Sequence, residues 1–169
     1  MKSKKPVQLG LLTAIALTIF LVENQIPALV PIPGIKIGLA NIVTVFTVFL
    51  LGSKEGAAVL GCRIFLGAIF CGNFATILYS GAGGLLAILT TIGLKRVLTR
   101  KQLWVAGALS AIAHSVGQMI AAVTITRTPT LLIYLPVMVL ISIITGIFTG
   151  LCAQILLNRG DKLWKTIFG

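Results

Sequence analysis

Residues 103–125 read LWVAGALSAIAHSVGQMIAAVTI, with no lysine, arginine, aspartate or glutamate among them. A helix needs about 20 mostly apolar residues to cross the hydrocarbon of a bilayer, so this stretch is long enough to span it. Its polar exceptions include His114 and Gln118, four residues apart and therefore on one helix face. Such a pair inside an apolar run serves either a hydrogen bond between helices or a contact to a ligand. His114 is the single histidine of the chain, with no carboxylates or cysteines clustered near it in sequence, which argues against a metal site.

The whole chain repeats this character. Hydrophobic residues make up 57% of 169 residues and charged residues 10%, and the mean hydropathy is +1.08. A soluble domain carries about 25% charged residues, so this chain has too little polar surface for water and belongs in a membrane. The formal net charge of +11 does not point to nucleic acid, because the charges sit at the ends of apolar segments and form no basic face. Membrane topology and anionic lipid headgroups explain them. Cys62, Cys71 and Cys152 form no CxxC and have no metal-ligand spacing, so they read as small apolar filler.

Six spans are predicted, at 9–26, 37–51, 56–71, 74–94, 103–125 and 131–157, in one all-α integral membrane domain covering 1–169. The basic head and apolar run at the N-terminus resemble a signal peptide, but no small-residue cleavage site follows, and a retained first span fits better. The second and third spans are short, which suits pieces screened by their neighbours. The sixth is long enough to tilt or to kink near Pro136. With both termini inside, eleven lysines and arginines fall on the cytoplasmic side and two, Lys36 and Arg127, outside, leaving Arg63 within the third span. That is a positive-inside pattern, and an odd number of spans would spoil it. The predicted location is the bacterial cytoplasmic membrane. Small residues four apart, such as Gly107 with Ala111, Ala113 with Gly117 and Gly146 with Gly150, let helix backbones approach closely.

Ionisable groups are expensive in hydrocarbon, so the few present are informative. Arg63 does not lose its proton. It needs an ion pair with Glu23 or Glu55, a ligand anion, or a route to the interface. Glu23 and Asn24 close the first span on the outer side. In PIPGIKIGLANIVT, residues 31–44, the prolines and Gly34 make an outer loop, Lys36 stands at the rim and Asn41 lies about one turn inside. Lys36 is either a snorkelling lysine or part of a pocket edge. Asn73 follows the third span and is either a cap for the fourth or a plain turn residue. SGAGG, residues 80–84, brings flexible or closely packed backbone to the fourth span. Glu23, Asn24, Lys36, Asn41 and Asn73, with His114 and Gln118, favour the outer half of the membrane, where one small polar chamber open to the outside would gather them.

Chemistry on a Mg²⁺-bound diphosphate needs several carboxylates. The chain has three acidic residues, Glu23, Glu55 and Asp161, and Asp161 sits in the basic tail. Nucleotide loops, zinc motifs and nucleophile elbows are absent, and GSKEG is not a phosphate loop. The chain is not expected to be an enzyme by itself, and no cofactor is expected.

Several stretches then identify a family. ENQIP at 23–27, PGIKIGLANIVT at 33–44, LGSKEG at 51–56, RIFLG at 63–67, SGAGG at 80–84 and HSVGQ at 114–118 resemble the family called heptaprenyl diphosphate synthase component I, or Gx transporter family. Ser115 stands where the family often has asparagine, and 80–84 departs from its SLxGG form. In size and six-span layout the family resembles the substrate-binding S components of energy-coupling factor transporters. That likeness implies a specificity subunit that takes up a small solute, partnered by a membrane scaffold and cytoplasmic ATPases, and Arg63 and Lys36 point to an anionic or phosphorylated one, such as an isoprenoid diphosphate or a vitamin-like molecule. Gly10 and Ala14 on the first span would then meet the scaffold. Loops at 27–36 and 72–80 would close over the ligand. The family's synthase name implies a different role, a non-catalytic membrane accessory beside a polyprenyl diphosphate synthase. A structural membrane protein without a ligand is the third reading.

Overall fold

The computed structural model describes residues 4–26 and 36–168, with side chains for 5–26 and 36–159. Six α-helices form one bundle: α1 Lys4–Glu23, α2 Asn41–Leu50, α3 Ser53–Cys71, α4 Ala75–Lys95, α5 Leu103–Thr126 and α6 Leu135–Phe168. Short 3-10 turns, Arg100–Gln102 and Pro129–Tyr134, lead into α5 and α6. The expected outer loop of Pro31, Pro33 and Gly34, and Asp161 in the tail, lie outside the residues whose side chains are described.

Among the described residues, four helical stretches are long and apolar enough to cross a membrane: Lys5–Glu23, Ala75–Lys95, Arg100–Thr126 and Pro129–Arg159. The chain is a multi-pass membrane protein, and the expectation of six full spans is corrected to six helices with four such stretches. The reasons are local. The ten residues of α2 rise about 15 Å, roughly half the hydrocarbon thickness. The nineteen residues of α3 are long enough but include Lys54, Glu55 and Arg63.

Instead of facing lipid, α2 is enclosed. It packs against α1, α3, α4, α5 and α6 and buries Asn41, Val43, Thr44, Val45, Thr47, Val48 and Phe49. Lipid contact falls to the other helices, whose large apolar side chains, among them Val22, Phe65, Phe70, Leu85, Leu140, Ile144 and Phe148, point outward. The turn from α2 to α3 is made at Gly52, whose φ of +136° is costly for a side-chain-bearing residue. Lys95 at the end of α4 donates its Nζ to the Val48 carbonyl at 2.5 Å, serving one of the carbonyls that the end of α2 leaves free. Pro136 falls in the first turn of α6, where its missing N–H costs nothing, so no mid-span kink follows from it.

The tightest seams join α4 to α5 and α5 to α6, and small residues make both. A Cβ on Gly107 would lie 2.3 Å from the Gly146 carbonyl oxygen and 2.7 Å from the Gly150 Cα. One on Gly117 would lie 2.6 Å from the Ala82 carbonyl oxygen. Backbone meets backbone in both seams, so no side-chain rotation relieves a larger residue. In contrast, Gly93 on α4 has nothing within 4 Å of such an atom. Gly107→Ala is therefore expected to lower stability by about 1–3 kcal/mol through forced helix separation. Gly93→Ala is expected to be neutral or stabilising by up to about 1 kcal/mol. Thermal unfolding in detergent measures both, and equal shifts for the two variants would contradict the seam.

Candidate functional site: a polar cluster between α1, α3 and α5

Where α1 ends, a row of polar groups is buried. Glu23, the last residue of α1, is 4% exposed. Its carboxylate accepts the backbone N–H groups of Gly38 and Ala40, which lead into α2. Gly38 has a φ of +86°, and a Cβ there would stand 3.1 Å from His114 Cδ2. Both observations call for glycine. The backbone N–H of Lys36 donates to Gln118 Oε1 at 3.3 Å. The segment before α2 is thus tied to α1 on one side and α5 on the other.

Phe20 lies one turn before Glu23 on the same face of α1 and is 2% exposed. Its ring fits against Gly67 of α3, where a Cβ would lie 2.6 Å from the ring. Lys36 Nζ stands 3.6 Å from the centroid of that ring, and Arg63 Cζ 5.5 Å from it. Both cations lie within cation–π range of one aromatic ring. Lys36 therefore turns inward, correcting the snorkelling reading. Arg63, 4% exposed, interacts with Glu23 through space; the direct ion pair among the described residues is Lys5 with Glu55, at 3.7 Å.

On α5, His114 and Gln118 are both buried and face Gly83 of α4. A Cβ on Gly83 would lie 2.8 Å from Gln118 Cγ and 3.0 Å from His114 Cε1, so SGAGG supplies close packing. The imidazole hydrogen-bonds the Gly83 backbone. Asn41 at the head of α2 donates to Ser110 Oγ at 2.6 Å. Several buried polar atoms have no hydrogen-bond partner among the described residues: Lys36 Nζ, Arg63 Nε, His114 Nδ1, Gln118 Nε2 and Asn41 Oδ1. Buried polar atoms are ordinarily paired, so this concentration in one place is unusual.

Of the seven residues expected at a binding site, six lie in or beside this cluster: Glu23, Lys36, Asn41, Arg63, His114 and Gln118. Asn73 does not join it. It is exposed, and its Oδ1 accepts the Ala75 N–H at 3.0 Å at the head of α4. Much of the 72–80 stretch belongs to α4, and 27–35 lies outside the described residues. Cys71 is only partly buried; its Sγ accepts from Asn24 Nδ2 at 3.4 Å, so it is more than apolar filler. Sequence reasoning missed Phe20, Gly38 and Ser110. The three-residue spacing of Phe20 and Glu23 was the available signal for the first; pairing across helices is invisible in the other two.

The fold and cluster define an all-α, multi-pass membrane protein with a charged interior at one end. The family model for heptaprenyl diphosphate synthase component I matches residues 12–156, and the chain belongs to that family. No curated protein and no solved structure gives a significant match.

The family match corrects the transport reading. The family is described as a component of a biosynthetic enzyme, not as a substrate-binding subunit of a transporter, and the coupling scaffold and cytoplasmic ATPases inferred as partners fall with that reading. The S-component likeness rested on size and span count, which many unrelated membrane bundles share. Glu55 pairs with Lys5 at the start of α1, while Glu23 is bound to backbone at its end, so these two carboxylates cannot share a metal ion. Among the described residues no group of three or more His, Cys, Asp or Glu gathers.

Glu23→Ala is expected to cost about 3–5 kcal/mol, because it strands two backbone donors and leaves two cations without their counter-charge. Glu23→Gln keeps an acceptor and is expected to cost less, and Asn73→Ala no more than about 1 kcal/mol. Denaturation in mixed micelles ranks the three. A Glu23→Ala cost no larger than that of Asn73→Ala would refute this account of the cluster.

Proposed function

We propose that the chain is a non-catalytic membrane component of heptaprenyl diphosphate synthesis, one that holds a soluble, carboxylate-rich polyprenyl synthase at the bilayer where its greasy product partitions. The observation that carries the reading is the family match over residues 12–156, made by a chain with three acidic residues. The catalytic carboxylates must then come from a partner. The basic ends of the helices support a side for that partner. Lys5, Lys54, Arg96 and Lys101 are exposed and belong to the end of the bundle opposite Glu23. The charge rule puts that end, and both termini, on the cytoplasmic side of a bacterial cytoplasmic membrane. A soluble synthase would dock there beside anionic headgroups.

Gly10 and Ala14 are exposed on the half of α1 that begins at the basic end, with nothing within 4 Å of a Cβ built on Gly10; we propose this smooth face as part of the contact with the synthase. Glu23, Lys36, Asn41, Arg63, His114 and Gln118 form the proposed ligand-holding cluster.

Co-expression with the cell's aspartate-rich prenyl synthase tests the reading. The synthase is expected to move into the membrane fraction and co-purify in mild detergent. Lys54→Glu with Arg96→Glu is expected to weaken that association about tenfold or more by replacing attraction with repulsion. A synthase that stays soluble, with unchanged product formation when this chain is deleted, would end the proposal.

A further inference from the structure

We infer that the buried cluster binds a singly charged oxyanion that keeps a proton, a phosphate of the monoester or inorganic class, held by Lys36, Arg63, Gln118 and His114. This rests on the ligand-holding role of the cluster but not on the synthase partnership.

The charges inside the cluster do not balance. Glu23 faces two cations, Lys36 and Arg63, so among the described residues one positive charge has no carboxylate to balance it. A buried unpaired charge in low dielectric costs several kcal/mol, and one negative charge brought by a ligand removes that cost. A diphosphate brings more than one and leaves the imbalance reversed.

Most of the atoms left over in the cluster are donors. Lys36 Nζ, Arg63 Nε and Gln118 Nε2 are donors, buried and without a hydrogen-bond partner among the described residues. Gln118 is 0% exposed and Arg63 4%. Three unpaired donors on residues of one buried cluster suit oxygens carrying negative charge. His114 is the exception. A neutral imidazole that gives its N–H to the Gly83 carbonyl keeps an acceptor lone pair on Nδ1, and Nδ1 is likewise buried without a partner. A P–OH satisfies it, whereas a fully ionised anion offers it nothing. Charge and hydrogen bonding thus select the same species.

Glu23 has a different part. Its carboxylate is engaged by Gly38 and Ala40, so it fixes the segment that carries Lys36 and limits the net charge to one. Phe20 offers its ring to both cations.

Calorimetry and thermal shift on the detergent-solubilised full chain test the assignment at mildly acidic pH, where phosphate is largely singly charged. The probes are inorganic phosphate, inorganic diphosphate, farnesyl monophosphate and farnesol, each against chloride at matched ionic strength. Saturable binding of inorganic phosphate identifies a free solute. Saturable binding of farnesyl monophosphate but not of farnesol or inorganic phosphate identifies a lipid-borne headgroup. Either result supports the site when Lys36→Gln and Arg63→Gln each weaken it about tenfold or more. Lys36→Gln lies outside the helices and keeps the test valid should Arg63→Gln fail to fold. Glu23→Gln, which raises the surplus to two charges, is expected to shift preference toward diphosphate. No saturable binding of either phosphate, equal binding of farnesol and its phosphate, preference of the wild type for diphosphate, or undiminished binding by Lys36→Gln overturns the inference.

Discussion

The carboxylate of Glu23 holds the N–H groups of Gly38 and Ala40, and much of the bundle's polar end depends on that bond. Lipid supplies no hydrogen-bond partners, so a buried carboxylate and the backbone donors ahead of a short helix must satisfy each other within the protein. Doing so brings the chain back across the end of α1 and starts α2 at the bundle axis. It also places Lys36 over Phe20 and within the field of Arg63. One acidic residue thereby sets the position of two basic ones.

The short helix α2 could not stand alone in a bilayer. It is tolerated because the other five helices enclose it, and they close around it because α4, α5 and α6 meet along glycine and alanine. Gly107 against Gly146 and Gly150, and Gly117 against Ala82 and Gly83, bring backbones into direct contact. Between apolar helices in lipid, such packing must do what the hydrophobic effect does in water. The same seam holds His114 and Gln118 against Gly83, so the packing that binds the bundle also orients its polar end.

Size and span count suggested a transporter subunit, and the family match points to a component of prenyl diphosphate synthesis. A bundle of this size is a solution to the bilayer, and many functions can use it. The residues that distinguish functions are few. Arg63, Lys36, His114 and Gln118 stood out in the sequence because charge and hydrogen-bonding capacity are costly in hydrocarbon. Asn73 stood out on the same ground but lies exposed at a helix start, where its side chain serves the local backbone. Polarity alone does not report depth.

Composition and segment length by themselves determined the solvent of this protein, its all-α class and the end of the bundle that carries most of its basic charge. Those properties are sums over the chain, and a sum needs no coordinates. The tertiary structure alone decided that α2 is an enclosed helix, that Glu23 is spent on backbone donors, and that Phe20 gathers both cations. Each of these joins residues from different helices, and the distances that decide whether charges pair, stack or stand unsatisfied exist only once the helices have packed.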